Sequence, residues 1–165
     1  MKHLKLYEQF DFDENDPFGE EIKYTKSTFL SWLKNRYPDE NIWSEIKEIN
    51  CYNKQLTSLE GIENLINLER LYCEYNRLTS LKEIENLVNL KELDCSGNEL
   101  TGLEGIENLV NLKEFDCHSN MLTTLEGIEN LVNLKELWCY DNRLTIQYRN
   151  YLRDYCKKKR IKFNL

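Results

Sequence analysis

Cysteines stand at positions 51, 73, 95, 117 and 139, every twenty-second residue, and the sequence around them repeats with the same period. Shifted by 22 residues, the chain superimposes Leu68–Asn89 (LERLYCEYNRLTSLKEIENLVN), Leu90–Asn111 (LKELDCSGNELTGLEGIENLVN) and Leu112–Asn133 (LKEFDCHSNMLTTLEGIENLVN). Ile46–Asn67 is a more divergent first copy, and Leu134 opens a last, partial one. So short a unit cannot bury its own apolar face. Units must therefore stack and share one core, which makes the chain a solenoid.

The pattern within a unit dictates its parts. Apolar residues alternate in Leu71-Tyr72-Cys73, as a strand with one buried face requires. Parallel strands from successive units then stack about 4.8 Å apart. Leu78, Leu81, Ile84 and Leu87 recur every third residue, which fits tight 3₁₀-like turns on the outer, convex side.

The motif LxxLxCxxNxL over residues 46–146 resembles the leucine-rich-repeat signature, with Cys in the slot usually held by Leu. The second half, LxxLxxIxxLxx, is similar to the 22-residue class that includes phosphatase-regulator and bacterial internalin repeats. The resemblance implies an α/β leucine-rich-repeat solenoid: a curved parallel sheet on the concave face, 3₁₀ or irregular turns on the convex face, and helical caps at both ends. It also implies a protein that holds another macromolecule.

Three rows then have structural readings. Equal spacing marks the cysteines as buried free thiols in a ladder rather than a disulfide framework, which suits a reducing compartment. Asn76, Asn98, Asn120 and Asn142 are expected to satisfy backbone groups in the turn leaving each strand. Thr57, Thr79, Thr101, Thr123 and Thr145 are read as a similar structural row.

The division of the chain follows from these patterns. Residues 1–22 are an acidic leader or arm, 23–45 an N-terminal helical cap, 46–146 about five repeats, and 147–165 a C-terminal cap helix and strand. In the first cap, residues 25–37 predict an amphipathic helix started by Thr25 or Ser27 and stopped by Pro38. In the second, Tyr148, Tyr151, Leu152 and Tyr155 have helical spacing, and residues 161–165 predict a last strand.

Charge narrows the partners. Residues 1–45 carry a net −4, residues 46–146 a net −9 and residues 147–165 a net +6. An acidic body disfavours nucleic acid. The run Lys157-Lys158-Lys159-Arg160 fits the C-terminal end of a helix, where cations are favoured, in preference to an import or nucleic-acid patch. No apolar run is long enough to span a membrane and none builds a secretory signal, so an intracellular, cytoplasmic location is expected. A monomer is the default expectation.

The near-identical copies allow an internal comparison. IENLVN returns at 84–89, 106–111 and 128–133, with Glu63, Glu85, Glu107 and Glu129 constant although outward-facing. The strand side differs in almost every copy. Its rows are Asn50, Tyr72, Asp94, Asp116, Trp138; then Tyr52, Glu74, Ser96, His118, Tyr140; then Asn53, Tyr75, Gly97, Ser119, Asp141. A constant framework with a varied inner face reads as a binding surface. The partner-binding residues expected are Tyr52, Arg70, Tyr72, Glu74, Tyr75, Asp94, Asp116, His118, Trp138 and Tyr140. Their large aromatics and acidic centre favour a protein or peptide of basic or mixed charge with apolar anchors. Five strands span about 20 Å, enough for a peptide, loop or helix edge.

Other chemistry finds little footing. One histidine, His118, among flexible aspartates does not make a metal centre, and no cofactor motif is present. The chain has no nucleophile elbow, phosphate loop or paired-histidine motif, so it is read as non-enzymatic. Cys156 beside the basic run has the alternative of an activated thiol, but its spacing from Leu152 and Tyr155 reads as a packed cap residue. The leader also fails as a calcium loop, because Asp16 stands where glycine is required and Ile22 where an acid is required. Its opening, MKHLKLYEQF, resembles the capsid-targeting leaders of tailed-phage internal head proteins. That resemblance implies an alternative function as a packaged component of a larger, viral particle. A regulator of a bound enzyme is a further alternative.

Overall fold

The computed structural model describes residues 28–165; the leader, its phage-like opening, Thr25 and Ser27 lie outside the described residues. Helix α1 (Phe29–Arg36) starts one residue after Thr28, whose Oγ1 accepts from Ser31 N at 3.1 Å. Thr28 is therefore the N-cap residue of α1. Pro38 disfavours helical backbone at Tyr37, and α1 ends there. Phe29 and Leu33 are fully buried, and Trp43, in the 3₁₀ turn Glu40–Glu45, donates its indole N–H to Tyr37 O at 2.9 Å.

Six parallel strands follow in chain order: β1 (Glu48–Asn50), β2 (Arg70–Tyr72), β3 (Glu92–Asp94), β4 (Glu114–Asp116), β5 (Glu136–Trp138) and β6 (Lys162–Asn164). β1 to β5 pair in the register of the repeat, Leu71 opposite Leu93 and Phe115 opposite Leu137. The C-terminal cap supplies β6 after helix α2 (Ile146–Lys159). Short 3₁₀ turns at Ile62–Asn64, Lys82–Ile84 and Ile128–Asn130 carry the chain back. The result is a leucine-rich-repeat solenoid.

Between sheet and return turns, the leucine and isoleucine rows interlock in one continuous core. All six cysteines are free and buried. Cys73 Sγ donates to Asp94 O at 3.3 Å and Cys95 Sγ to Asp116 O at 3.4 Å, so each thiol reaches the next strand. Burial pushes the Cys51 and Cys139 thiols up to about 12. It raises Cys156 to about 11, so the neighbouring cations do not activate that thiol.

The asparagine row bonds more widely than its sequence position implies. Asn98 Nδ2 donates to Cys95 O and Ser96 O in its own repeat and to Cys73 O in the preceding one, at 3.0, 3.2 and 3.0 Å. Its Oδ1 accepts from Leu78 N at 2.9 Å, again in the preceding repeat. Asn76, Asn120 and Asn142 repeat this arrangement. The threonine row does not share it. Thr57, Thr79, Thr101 and Thr123 are exposed and make no side-chain hydrogen bond. Thr145 alone has a role, accepting from Tyr148 N at 3.2 Å to cap α2.

A second asparagine ladder runs on the opposite side. Asn67, Asn89, Asn111 and Asn133 donate to Ser44 O, Ile66 O, Val88 O and Val110 O, each a carbonyl of the preceding turn. Glu63 and Glu107 accept from the amides of Gly61 and Gly105 at 2.9 and 2.7 Å, and Glu129 accepts from the Tyr151 hydroxyl at 3.2 Å. The constancy of IENLVN therefore has bonding reasons, and the contrast with the varied strand side loses part of its weight.

Asn98→Ala removes one acceptor and three donor contacts and leaves buried backbone groups unpaired, each costing about 1–3 kcal/mol. We expect a loss of about 3 kcal/mol or more in urea unfolding, against less than about 0.5 kcal/mol for Thr101→Ala.

Candidate binding face

Each strand turns one side chain into the core and sets the residues on either side of it on the opposite face. One row on that face is Glu48, Arg70, Glu92, Glu114, Glu136 and Lys162, aligned across all six strands. Its ends are neutralised internally. Arg70 Nε donates to Glu48 Oε2 at 2.7 Å, and Lys162 Nζ to Glu136 Oε2 at 2.9 Å while lying 5.6 Å from the centre of the Trp138 ring. Arg70 is thus already engaged.

The next row is Asn50, Tyr72, Asp94, Asp116 and Trp138. Asn50, Asp94 and Asp116 each accept the amide two residues ahead, at 3.0, 3.0 and 3.1 Å, closing a local turn. Tyr72 and Trp138 cannot do this. Tyr72 instead donates its hydroxyl to Glu92 Oε2 at 2.6 Å, and burial together with that carboxylate holds the phenol protonated, well above its ordinary range.

Farther along lie Tyr52, Glu74, Ser96, His118 and Tyr140. Ser96 is not solvent-facing as the alternation implied. It is 1% exposed, its hydroxyl folded back onto Asp94 Oδ1 at 2.7 Å. His118 Nδ1 lies 2.6 Å from Asp116 Oδ1, and its ring stacks on Tyr140 with centroids 4.4 Å apart. Among the described residues no group of three or more candidate ligands converges on a metal position.

The last row, Asn53, Tyr75, Gly97, Ser119 and Asp141, lies wholly in left-handed backbone, with φ from 49° to 63°. That conformation suits Gly, Asn and Asp and costs a bulky residue about 1–2 kcal/mol. Tyr75 is the exception, half-exposed, edge-on to Tyr52 at 5.5 Å. A Cβ on Gly97 would come within 3.0 Å of the Tyr75 ring, so the glycine also makes room for it.

Tyr72, Glu92, Leu93, Asp94, Glu114, Asp116 and Trp138 enclose a groove of about 110 Å³. Small-molecule sites hold roughly 300–1,000 Å³, so the groove suits a side-chain head and not a metabolite. A larger hollow, about 360 Å³, lies away from this face on the N-terminal cap, between Leu30, Lys34, Glu40 and Trp43. In the groove, carboxylates face like charges in register, Glu92 opposite Glu114 and Asp94 opposite Asp116. Burial raises the Glu74 and Asp116 carboxyls, and the Asp94 charge adds to both. Glu74 Oε2 is buried without a hydrogen-bond partner. Sequence reasoning could list these residues but had no signal for the local turns, the left-handed row or Lys162.

Because the folded chain resists ionising Glu74, the unfolded chain releases that proton first and stability falls as pH rises through the ordinary carboxylate range. Glu74→Gln is therefore expected to raise the thermal midpoint near pH 7, with the gain disappearing at about pH 3, where both states hold the proton. Scanning calorimetry across that range checks it.

Comparison with known proteins agrees with this architecture. The family profile for leucine-rich repeats, in two copies, matches residues 66–108, 88–130 and 110–150, which together exceed half of the chain. A leucine-rich-repeat protein of Leptospira interrogans, LIC12759, superimposes with a TM-score of 0.69 at 29% identity, covering 76% of this chain and 33% of its own. The internalin InlF of Listeria monocytogenes has a TM-score of 0.57 at 22% identity, covering 70% and 41%. The functional domain of Listeria monocytogenes InlJ, whose structure includes a cysteine ladder, has a TM-score of 0.51 at 23% identity, covering 64% and 32%. The last two likenesses bear on the fold alone, and the chain spans about a third to two-fifths of these proteins' length. A search of curated protein sequences finds no match. The repeat period, the parallel ladder and the profile match together make this chain a member of the leucine-rich-repeat family.

Proposed function

We propose that the chain is a non-catalytic interaction module that holds a protein or peptide on the outer face of its sheet, the concave face of the solenoid. Leucine-rich repeats are in general protein–protein interaction modules. One observation carries the assignment to this face. Tyr72, Trp138 and Tyr75 each occupy a row whose backbone is served by Asn, Asp or Gly in most other repeats. Tyr72 and Trp138 stand at the two sides of the acidic groove, and Tyr75 is presented outward against Tyr52. Aromatic side chains of this kind are the commonest interface anchors. The partner that fits is a basic or mixed-charge segment with apolar anchors.

The alternative of a packaged particle component rests on residues outside the described ones, and a regulator of a bound enzyme would use the same face. Among the described residues no helix is long and apolar enough to cross a membrane.

Tyr72→Ala with Trp138→Ala should abolish capture of a partner that the wild-type chain retains from native lysate and that mass spectrometry identifies. Capture undiminished in the folded double variant moves the site elsewhere. Tyr75→Asn should behave oppositely in two assays, stabilising the chain by about 1 kcal/mol in urea unfolding through relief of left-handed strain while weakening capture. A Tyr75→Asn variant that gains stability and binds as wild type removes Tyr75 from the interface.

A further inference from the structure

We infer that the groove between Tyr72 and Trp138 receives one cationic side chain, a lysine or arginine of the partner, over the carboxylates of Asp94, Asp116 and Glu114. This rests on the binding-face reading and specifies the chemistry of its occupant.

The protein supplies a template for the contact. At the C-terminal end of the face, Lys162 sets its ammonium 5.6 Å from the centre of the Trp138 ring and 2.9 Å from Glu136 Oε2. At the other end Arg70 holds Glu48 at 2.7 Å. A cation thus stands over an aromatic or a glutamate at each end of the row, whereas Glu92 and Glu114 at its centre form no ion pair among the described residues, Arg70 acting on Glu92 only at longer range. Glu92 accepts only from Tyr72, and Glu114 is exposed with no polar partner among the described residues.

The surroundings exclude other occupants. Among the described residues, Asp94 and Asp116 are not joined by a third candidate ligand for a metal ion. An apolar side chain would desolvate several carboxylates without compensation. A guanidinium or ammonium satisfies them by charge-assisted hydrogen bonds and meets aromatic surface on both sides. The volume, about 110 Å³, admits one such head. The Asp94 charge acts on the Asp116 carboxyl beside it, adding to the effect of burial there.

The test uses the full chain and defined probes. N-acetyl-arginine amide, N-acetyl-lysine amide and the uncharged N-acetyl-citrulline amide are titrated separately at low ionic strength, followed by ¹H–¹⁵N correlation NMR. The cationic probes should shift the Trp138 indole N–H and the amides of Asp94, Glu114 and Asp116, while citrulline amide leaves them in place. Glu114→Lys, an exposed position without a bonding role, places a cation in the groove and should weaken probe binding by about tenfold or more. Tyr72→Leu removes one aromatic wall and should also weaken it. The inference is overturned if neither cation shifts these signals, or if citrulline amide shifts them equally. If partner capture still depends on Tyr72 and Trp138 in that event, the binding face stands and only its occupant is misassigned.

Discussion

A carboxamide shared between two turns of chain sets the geometry on which everything else here depends. Asn98 holds carbonyls of its own repeat and of the one before, and its oxygen takes an amide twenty residues back. Buried backbone groups need partners, and these are met at a fixed chain distance, so a one-residue slip would leave a whole layer unsatisfied. The ladder at Asn67, Asn89, Asn111 and Asn133 fixes the far side of each turn in the same way. Between the two ladders the leucines, isoleucines and cysteines have little freedom except to stack.

That registration has an electrostatic consequence. Residues one period apart become neighbours, so identical residues in successive copies stand side by side. For leucine this builds a core. For glutamate and aspartate it assembles like charges, as at Glu92 and Glu114 or Asp94 and Asp116. The ends of the glutamate row are relieved by Arg70 and Lys162, whereas Glu92 and Glu114 at its centre have no such ion pair and lie between two aromatic walls. Like charges held side by side in this way repel one another and lower the stability of the isolated chain.

Much of the fold was legible in the period: the core rows, the buried thiols and the parallel strands. The site was legible less evenly. Tyr72 and Trp138 were legible only as members of a varied row, and the reason Asn50, Asp94 and Asp116 fill its other places is a hydrogen bond to the amide two residues on, which composition does not reveal. The left-handed row around Tyr75 was likewise invisible, because a φ value is decided by the turn and not by the residue that tolerates it. The convex glutamates misled in the other direction. Glu63, Glu107 and Glu129 bond Gly61, Gly105 and Tyr151, so constancy at these three positions has a structural reason that Glu85 does not share.

By itself the sequence determined that the chain must stack. No single unit of this length encloses its leucines, and the fixed period leaves parallel stacking as the arrangement that buries every copy alike. Only the tertiary structure decided what the outward face can do. The approach of Lys162 to Trp138 and the acidic groove between Tyr72 and Trp138 both join residues of different strands. Their distances depend on how strands and caps settle against one another, and that is a property of packed surfaces that a linear repeat does not contain.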